Sequence, residues 1–270
     1  IPGQRVQFRA VAGGAGADLI PDTAVTDADG RARARWVLGQ IAGPQRVEAR
    51  VVGNGALVVA FQATGLAGAA DTLFAFLGDS QTGGAGAALA ESLVVLVADQ
   101  YGNPVAGQAL TWSLAGGGSL SDSSTTTGAD GRSAVRRTLG IVPGAQSATV
   151  TAAGLAGSPV VFGHTAVPTP TAIVKLAGDG QSARVAGLLP IALKVRIVDA
   201  QGNGVPGKSF GWVTTAGNGS SAPRTSVTDS LGEASTQWTI GGNIGTDSLV
   251  AFVPGVGEAL FTATALAGGA

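Results

Sequence analysis

Residues 99–107 read Asp99-Gln-Tyr-Gly-Asn-Pro-Val-Ala-Gly107, and residues 199–207 read Asp199-Ala-Gln-Gly-Asn-Gly-Val-Pro-Gly207. The same residue types recur at the same spacing 100 positions on, and the likeness spreads outward from this stretch. Gly78-Asp-Ser-Gln81 returns as Gly178-Asp-Gly-Gln181. A later block occurs three times, as Thr26-Asp-Ala-Asp-Gly30, Gly128-Ala-Asp-Gly131 and Thr228-Asp-Ser-Leu-Gly232, followed by Leu38-Gly39, Leu139-Gly140 and Ile240-Gly241. Each copy closes alike, in Phe61-Gln-Ala-Thr-Gly65, Phe162-Gly-His-Thr-Ala166 and Phe261-Thr-Ala-Thr-Ala265.

Solenoid repeats run to about 20–50 residues. A period near 100 is instead the length of a small domain with its own core. The spacing divides the chain into an incomplete unit at 1–68 and full units at 69–168 and 169–270. Ile1-Pro-Gly-Gln4 aligns with Val105-Ala-Gly-Gln108, so the first unit lacks a counterpart of roughly 72–104. Gly65-Leu-Ala-Gly-Ala-Ala70 and the stiffer Val167-Pro-Thr-Pro170 read as the linkers, proline fixing φ in the second.

Composition narrows the function classes. The 270 residues hold 45% hydrophobic types, enough to build cores, and only 12% charged types, 16 basic against 17 acidic. That balance lacks the basic footprint of a nucleic-acid binder. Cysteine is absent, which removes disulfides, thiolate metal sites and cysteine nucleophiles. Leu93–Ala98 is the best apolar run and falls far short of the roughly 20 residues of a membrane span. Methionine is absent even at position 1, and no signal sequence opens the chain, so we expect a piece of a longer polypeptide.

The apolar residues follow strand periodicity. Leu110, Trp112 and Leu114 alternate with small polar residues; Leu193, Val195 and Ile197 alternate with Lys194, Arg196 and Val198. Strands are expected at Leu73–Leu77, Ser92–Ala98, Gln108–Leu114, Ser133–Leu139, Ser147–Ala152 and Val160–Ala166, separated by Gly, Pro, Asn and Asp. The spacing predicts an all-β fold of tandem antiparallel β-sandwiches joined by short linkers. Trp112 and Trp212 are expected to fill the inter-sheet space that a disulfide occupies in antibody domains.

Leu93–Val97, the Asp-x-x-Gly-Asn-Pro-Val-x-Gly stretch, Trp112, Gly116-Gly-Gly-Ser-Leu120, the turn at Asp130-Gly131, Leu139-Gly140 and Val160-Val-Phe162 follow in that order. This set resembles the bacterial group-one immunoglobulin-like domain, found in tandem in invasin- and intimin-type surface proteins. Gly204 in place of Pro104, and Leu231-Gly232 in place of Asp130-Gly131, are departures at turns. The resemblance implies an extracellular array on a bacterial cell surface.

Candidate chemistry is sparse. His164 is the only histidine, and no catalytic residue or cofactor site is expected. Asp99, Asn103, Asp199 and Asn203, with Asp79 and Asp179, repeat at turns: their oxygens suit Ca²⁺ at domain junctions, and they equally suit turn capping. Arg31, Arg33 and Arg35 alternate as on one face of a strand, with Arg46 and Arg50 near, and Arg132, Arg136 and Arg137 form a weaker set. Such a face suits an anionic glycan, or is a charged edge kept soluble. Tyr101 at a turn tip is a candidate sugar-stacking residue. The expectation is a non-enzymatic structural or adhesive stalk whose partners are other immunoglobulin-like domains, in the same or neighbouring chains, and a cell-surface protein or glycan. The alternatives are a filament subunit, joined head-to-tail by strand addition to the incomplete first unit, and a carbohydrate-binding accessory module.

Overall fold

The computed structural model describes residues 1–268. Its regular elements are all strands, which fall into three groups along the chain. The first group is β1 (Arg5–Ala12), β2 (Asp18–Ile20), β3 (Thr23–Val25), β4 (Arg35–Val37), β5 (Gly43–Val51) and β6 (Asn54–Gly65). The second is β7 (Thr72–Leu77), β8 (Gln81–Gly84), β9 (Leu93–Ala98), β10 (Ala109–Ala115), β11 (Ser119–Leu120), β12 (Ser124–Thr126), β13 (Arg132–Val135), β14 (Arg137–Thr138), β15 (Gly144–Thr151) and β16 (Val160–Val167). The third is β17 (Ala172–Ala177), β18 (Gln181–Arg184), β19 (Leu193–Val198), β20 (Ser209–Ala216), β21 (Ser220–Ala222), β22 (Thr225–Val227), β23 (Glu233–Thr239), β24 (Gly245–Val253) and β25 (Gly257–Leu266).

In the second group a five-stranded sheet, ordered β12-β10-β15-β16-β8, faces a three-stranded sheet, β13-β9-β7, with β11-β14 as a short pair beside them. The third group repeats this as β18-β25-β24-β20-β22 facing β17-β19-β23-β21. Both place a bulge at the same point of the opening strand, between Ala75 and Leu77 and between Lys175 and Ala177. The two-residue period of a strand explains the packing: Leu93, Val95 and Val97, like Leu193, Val195 and Ile197, point into the core and are fully buried.

Each full group has its own apolar cluster. One gathers Leu73, Leu93, Leu110, Trp112, Val150 and Phe162; the other gathers Leu193, Phe210, Trp212, Trp238, Leu249 and Phe261. Trp112 stacks 5.9 Å from Phe162, and Trp212 lies 5.1 Å from Phe210 and 6.1 Å from Phe261. The indole N–H of each finds a hydroxyl, Thr125 Oγ1 and Ser226 Oγ, both at 2.9 Å. The two tryptophans therefore fill the inter-sheet space as expected, each contributing about 2–3 kcal/mol by burial.

The repeated Gly-Asp-x-Gln is an internal fastening. Gln81 donates to the Gly78 and Glu91 carbonyls and accepts from the Glu91 N–H; Gln181 does the same with Gly178 and Ile191. Asp79 accepts the Gly163 N–H and Asp179 that of Thr262, tying the loop to the closing strand.

The first group holds the sheet β3-β1-β5-β6 and the pair β2-β4, equivalents of β12-β10-β15-β16 and β11-β14. Nothing stands where β7, β8 and β9 stand in the second group. Its buried apolar residue is Val47, while Val59 and Phe61, on the face equivalent to that of Phe162, are 59% and 49% exposed. The structure corrects one expectation here. Residues 31–34 form no strand, whereas the equivalent β13 is a strand because it pairs with β9.

Candidate functional site

A recurring polar constellation is the turn that opens the repeat signature. Asp99 Oδ1 accepts the N–H groups of Tyr101 and Asn103, both at 2.9 Å. Its Oδ2 accepts Asn103 Nδ2 at 2.9 Å and the linker Gly68 N–H at 2.8 Å. Burial alone would raise this carboxyl, but these donors outweigh it and hold Asp99 down at about 2. Asp199 repeats the arrangement with Gln201 and Asn203 and is likewise lowered, burial being outweighed by the Asn203 bonds. Four N–H donors occupy the acceptor positions of the Asp99 carboxylate and three those of Asp199, so both carboxylates cap their own turns. No group of three or more metal-ligating side chains converges among the described residues.

Asn103 also reaches the first group. Its Oδ1 accepts the Ala42 N–H and its Nδ2 donates to the Gln40 carbonyl, each at 2.8 Å. The turn is therefore an interface feature.

The arginines separate. Arg31, Arg33 and Arg35 are exposed at alternate positions, but only Arg35 lies in a strand. Arg46 and Arg50 clamp Glu48 at 2.9 and 2.5 Å, and the Arg50 hydrogen bond foremost lowers that carboxyl. Arg132 lies 3.8 Å over the Phe76 ring. Arg137 corrects the sequence reading outright: it is 1% exposed and donates to the Thr138 and Gly117 carbonyls at 2.6 and 2.7 Å and to Gln146 Oε1 at 3.1 Å. The signal that finds it is the repeat itself. Strand pairing sets Leu19 opposite Trp36, Leu120 opposite Arg137 and Ser221 opposite Trp238, so Arg137 occupies a tryptophan position.

His164 is the matching substitution. Its equivalents are Ala63 and Ala263, opposite Gln45 and Asp247 as His164 is opposite Gln146. The imidazole is buried and neither nitrogen has a hydrogen-bond partner. Burial foremost lowers it below 6.5, the Arg137 charge adds to this, and Asp79 opposes it. A larger side chain at the alanine position thus accompanies the loss of the indole across the core; no nucleophile or acid is bonded to the ring. Trp112, Trp212 and Trp238 are buried and Trp36 is half-buried, so no tryptophan is exposed beside the exposed Tyr101.

No family model matches the sequence, and no curated protein matches it. Solved structures do. FdeC, an Escherichia coli adhesin, aligns over 98% of this chain and 87% of its own with a TM-score of 0.67 at 20% identity. Invasin, a bacterial integrin-binding protein, aligns over 99% of this chain with a TM-score of 0.54 at 20% identity. The chain spans about half of the invasin chain, at 54%. At that identity the likeness is one of fold: this chain carries the tandem immunoglobulin-like β-sandwich architecture of the bacterial adhesins FdeC and invasin.

Proposed function

We propose that this chain is a non-enzymatic stalk segment of a bacterial extracellular surface protein, holding an adhesive part away from the cell. The observation that carries the reading is where the polar groups go. Asp99, Asp199, Gln81 and Gln181 are consumed in fastening turns and loops. The repeats thus build spacing elements, and the likeness in fold to an adhesin supports the same reading. Two measurements test it. A compact 270-residue globule has a radius of gyration of about 18 Å. Three sandwiches in line, with strands rising about 3.3 Å per residue, give about 30 Å by X-ray scattering. Antibodies raised against the chain should label intact cells; labelling only after permeabilisation would exclude a surface stalk.

A second reading rests on the uncovered face of the first group. The β6 edge at Ala63–Gly65 is unpaired, whereas the equivalent His164–Ala166 pairs in parallel with β8. A donor segment that adds one strand to that edge and lays a second, apolar strand across the face, as β8 and β9 do in the second group, covers Val59 and Phe61. Donated by a neighbouring molecule, it yields a head-to-tail filament that does not close. Mass photometry over a concentration series separates the cases. Growing oligomers abolished by Phe61→Asp support strand donation, and a monomer at every concentration rules it out.

A further inference from the structure

The junction between the first and second groups and the junction between the second and third are built from the same turn, but only one of them is fastened. At the first, Asn103 holds the Ala42 N–H and the Gln40 carbonyl, and Asp99 holds the linker Gly68 N–H. Asn103 is accordingly 7% exposed. At the second, Asn203 is half-buried and its side chain bonds only Asp199 among the described residues.

The sequence accounts for the difference. The turn before the long strand is marked in each group by a glycine at positive φ: Gly43 at 119°, Gly144 at 127° and Gly245 at 136°. The residue before it is Ala42 in the first group and Pro143 in the second. Proline has no N–H, so the donor that Asn103 captures does not exist opposite Asn203. The linker repeats the deletion: Gly68 lies 31 residues before Asp99, and Pro168 lies 31 before Asp199. Two prolines thus stand where the first junction has its two N–H donors.

We propose that Asn103 is a latch that grips two main-chain groups at the tip of the preceding module, and that Pro143 and Pro168 disable the same latch at the next junction. The chain then has one fixed and one compliant articulation, and module orientation is set locally by a single side chain. The inference does not depend on the stalk reading, since it concerns the solution behaviour of the isolated chain.

The absence of cysteine gives a clean test, because spin labels attach only where a cysteine is introduced. Thr64, Thr165 and Thr264 are exposed and equivalent, one per group. Pulsed electron–electron resonance on Thr64→Cys with Thr165→Cys should give a narrow distance distribution, and Thr165→Cys with Thr264→Cys a broad one. Ala42→Pro removes the donor without touching the second group, at a turn that already accepts proline at 143. It should broaden the first distribution toward the width of the second. Pro143→Ala should narrow the second. Equal widths in the native chain, or an unchanged first distribution in Ala42→Pro, would overturn the proposal. Failure of Pro143→Ala to narrow the second would overturn the role assigned to that proline.

Discussion

Trp212→Ala is expected to melt the third group of strands well before the second. The ring is 2% exposed, packs on Phe210 and Phe261, and anchors its N–H on Ser226. Deleting a buried tryptophan costs about 3–5 kcal/mol through lost transfer energy and the void left behind. A domain of this size is stable by only about 5–15 kcal/mol. Each kcal/mol moves the midpoint by about 4–8 °C. Calorimetry on the full chain should therefore resolve a new early transition while the second group melts where it did, since the two apolar clusters share no residue. Trp212→Phe keeps most of the volume and should lose far less. A single transition that shifts as a whole would mean the cores are coupled.

The second large effect lies at the Arg137 and His164 exchange. The folded imidazole resists protonation below the 6.5 of a free histidine, because burial foremost and then the Arg137 charge disfavour its cation. The unfolded chain takes up that proton first, so it binds more protons through this window and stability falls as pH drops below about 6.5. The second group should therefore lose melting temperature on acidification, while the third, with Ala263 in place of the histidine, stays flat until the carboxylates titrate. Gln146, which faces both side chains, does not titrate and leaves the sign unchanged. His164→Ala should flatten the slope, whatever its effect on the midpoint; an unchanged slope would sink the assignment. Arg137→Ala should be severe, since hydrogen bonds to a charged group contribute about 1.5–3 kcal/mol each and several are lost together. Arg137→Trp combined with His164→Ala rebuilds the Trp238 and Ala263 pairing of the third group and should remove the slope, exchanging the unpartnered imidazole for an indole N–H that is unpartnered in Trp238 too.

The architecture was legible because two signals agreed. Alternation in Leu110–Leu114 and Leu193–Ile197, with the short apolar run Leu93–Ala98, set the strands, and the repeat offset set the boundaries of the pattern. The short elements β8, β11 and β12 escaped notice for a physical reason: Gln81-Thr-Gly-Gly84 joins the sheet through its backbone alone and buries too little to leave an apolar period. Arg31–Ala34 misled in the opposite direction. Its alternation is that of β13, but a strand needs a partner, and the counterpart of β9 is missing. Arg137 was misplaced because a charged residue reads as surface when viewed by itself; set against Trp36 and Trp238 it reads as core. The junction role of Asn103 left no mark in the turn motif, because Asn203 shares the motif and the difference lies in Ala42 against Pro143, about sixty residues away.

The parallel ladders bear on how such a chain answers tension. In the second and third groups a strand near the entry point, Gln81–Gly84 or Gln181–Arg184, runs alongside the exit strand at His164–Val167 or Ala263–Leu266. Once β7 or β17, which precede them, have come away from β9 or β19, pulling the two ends apart loads those rungs in shear, so they resist together instead of peeling one at a time. Parallel rungs so loaded hold until the whole patch gives way at once.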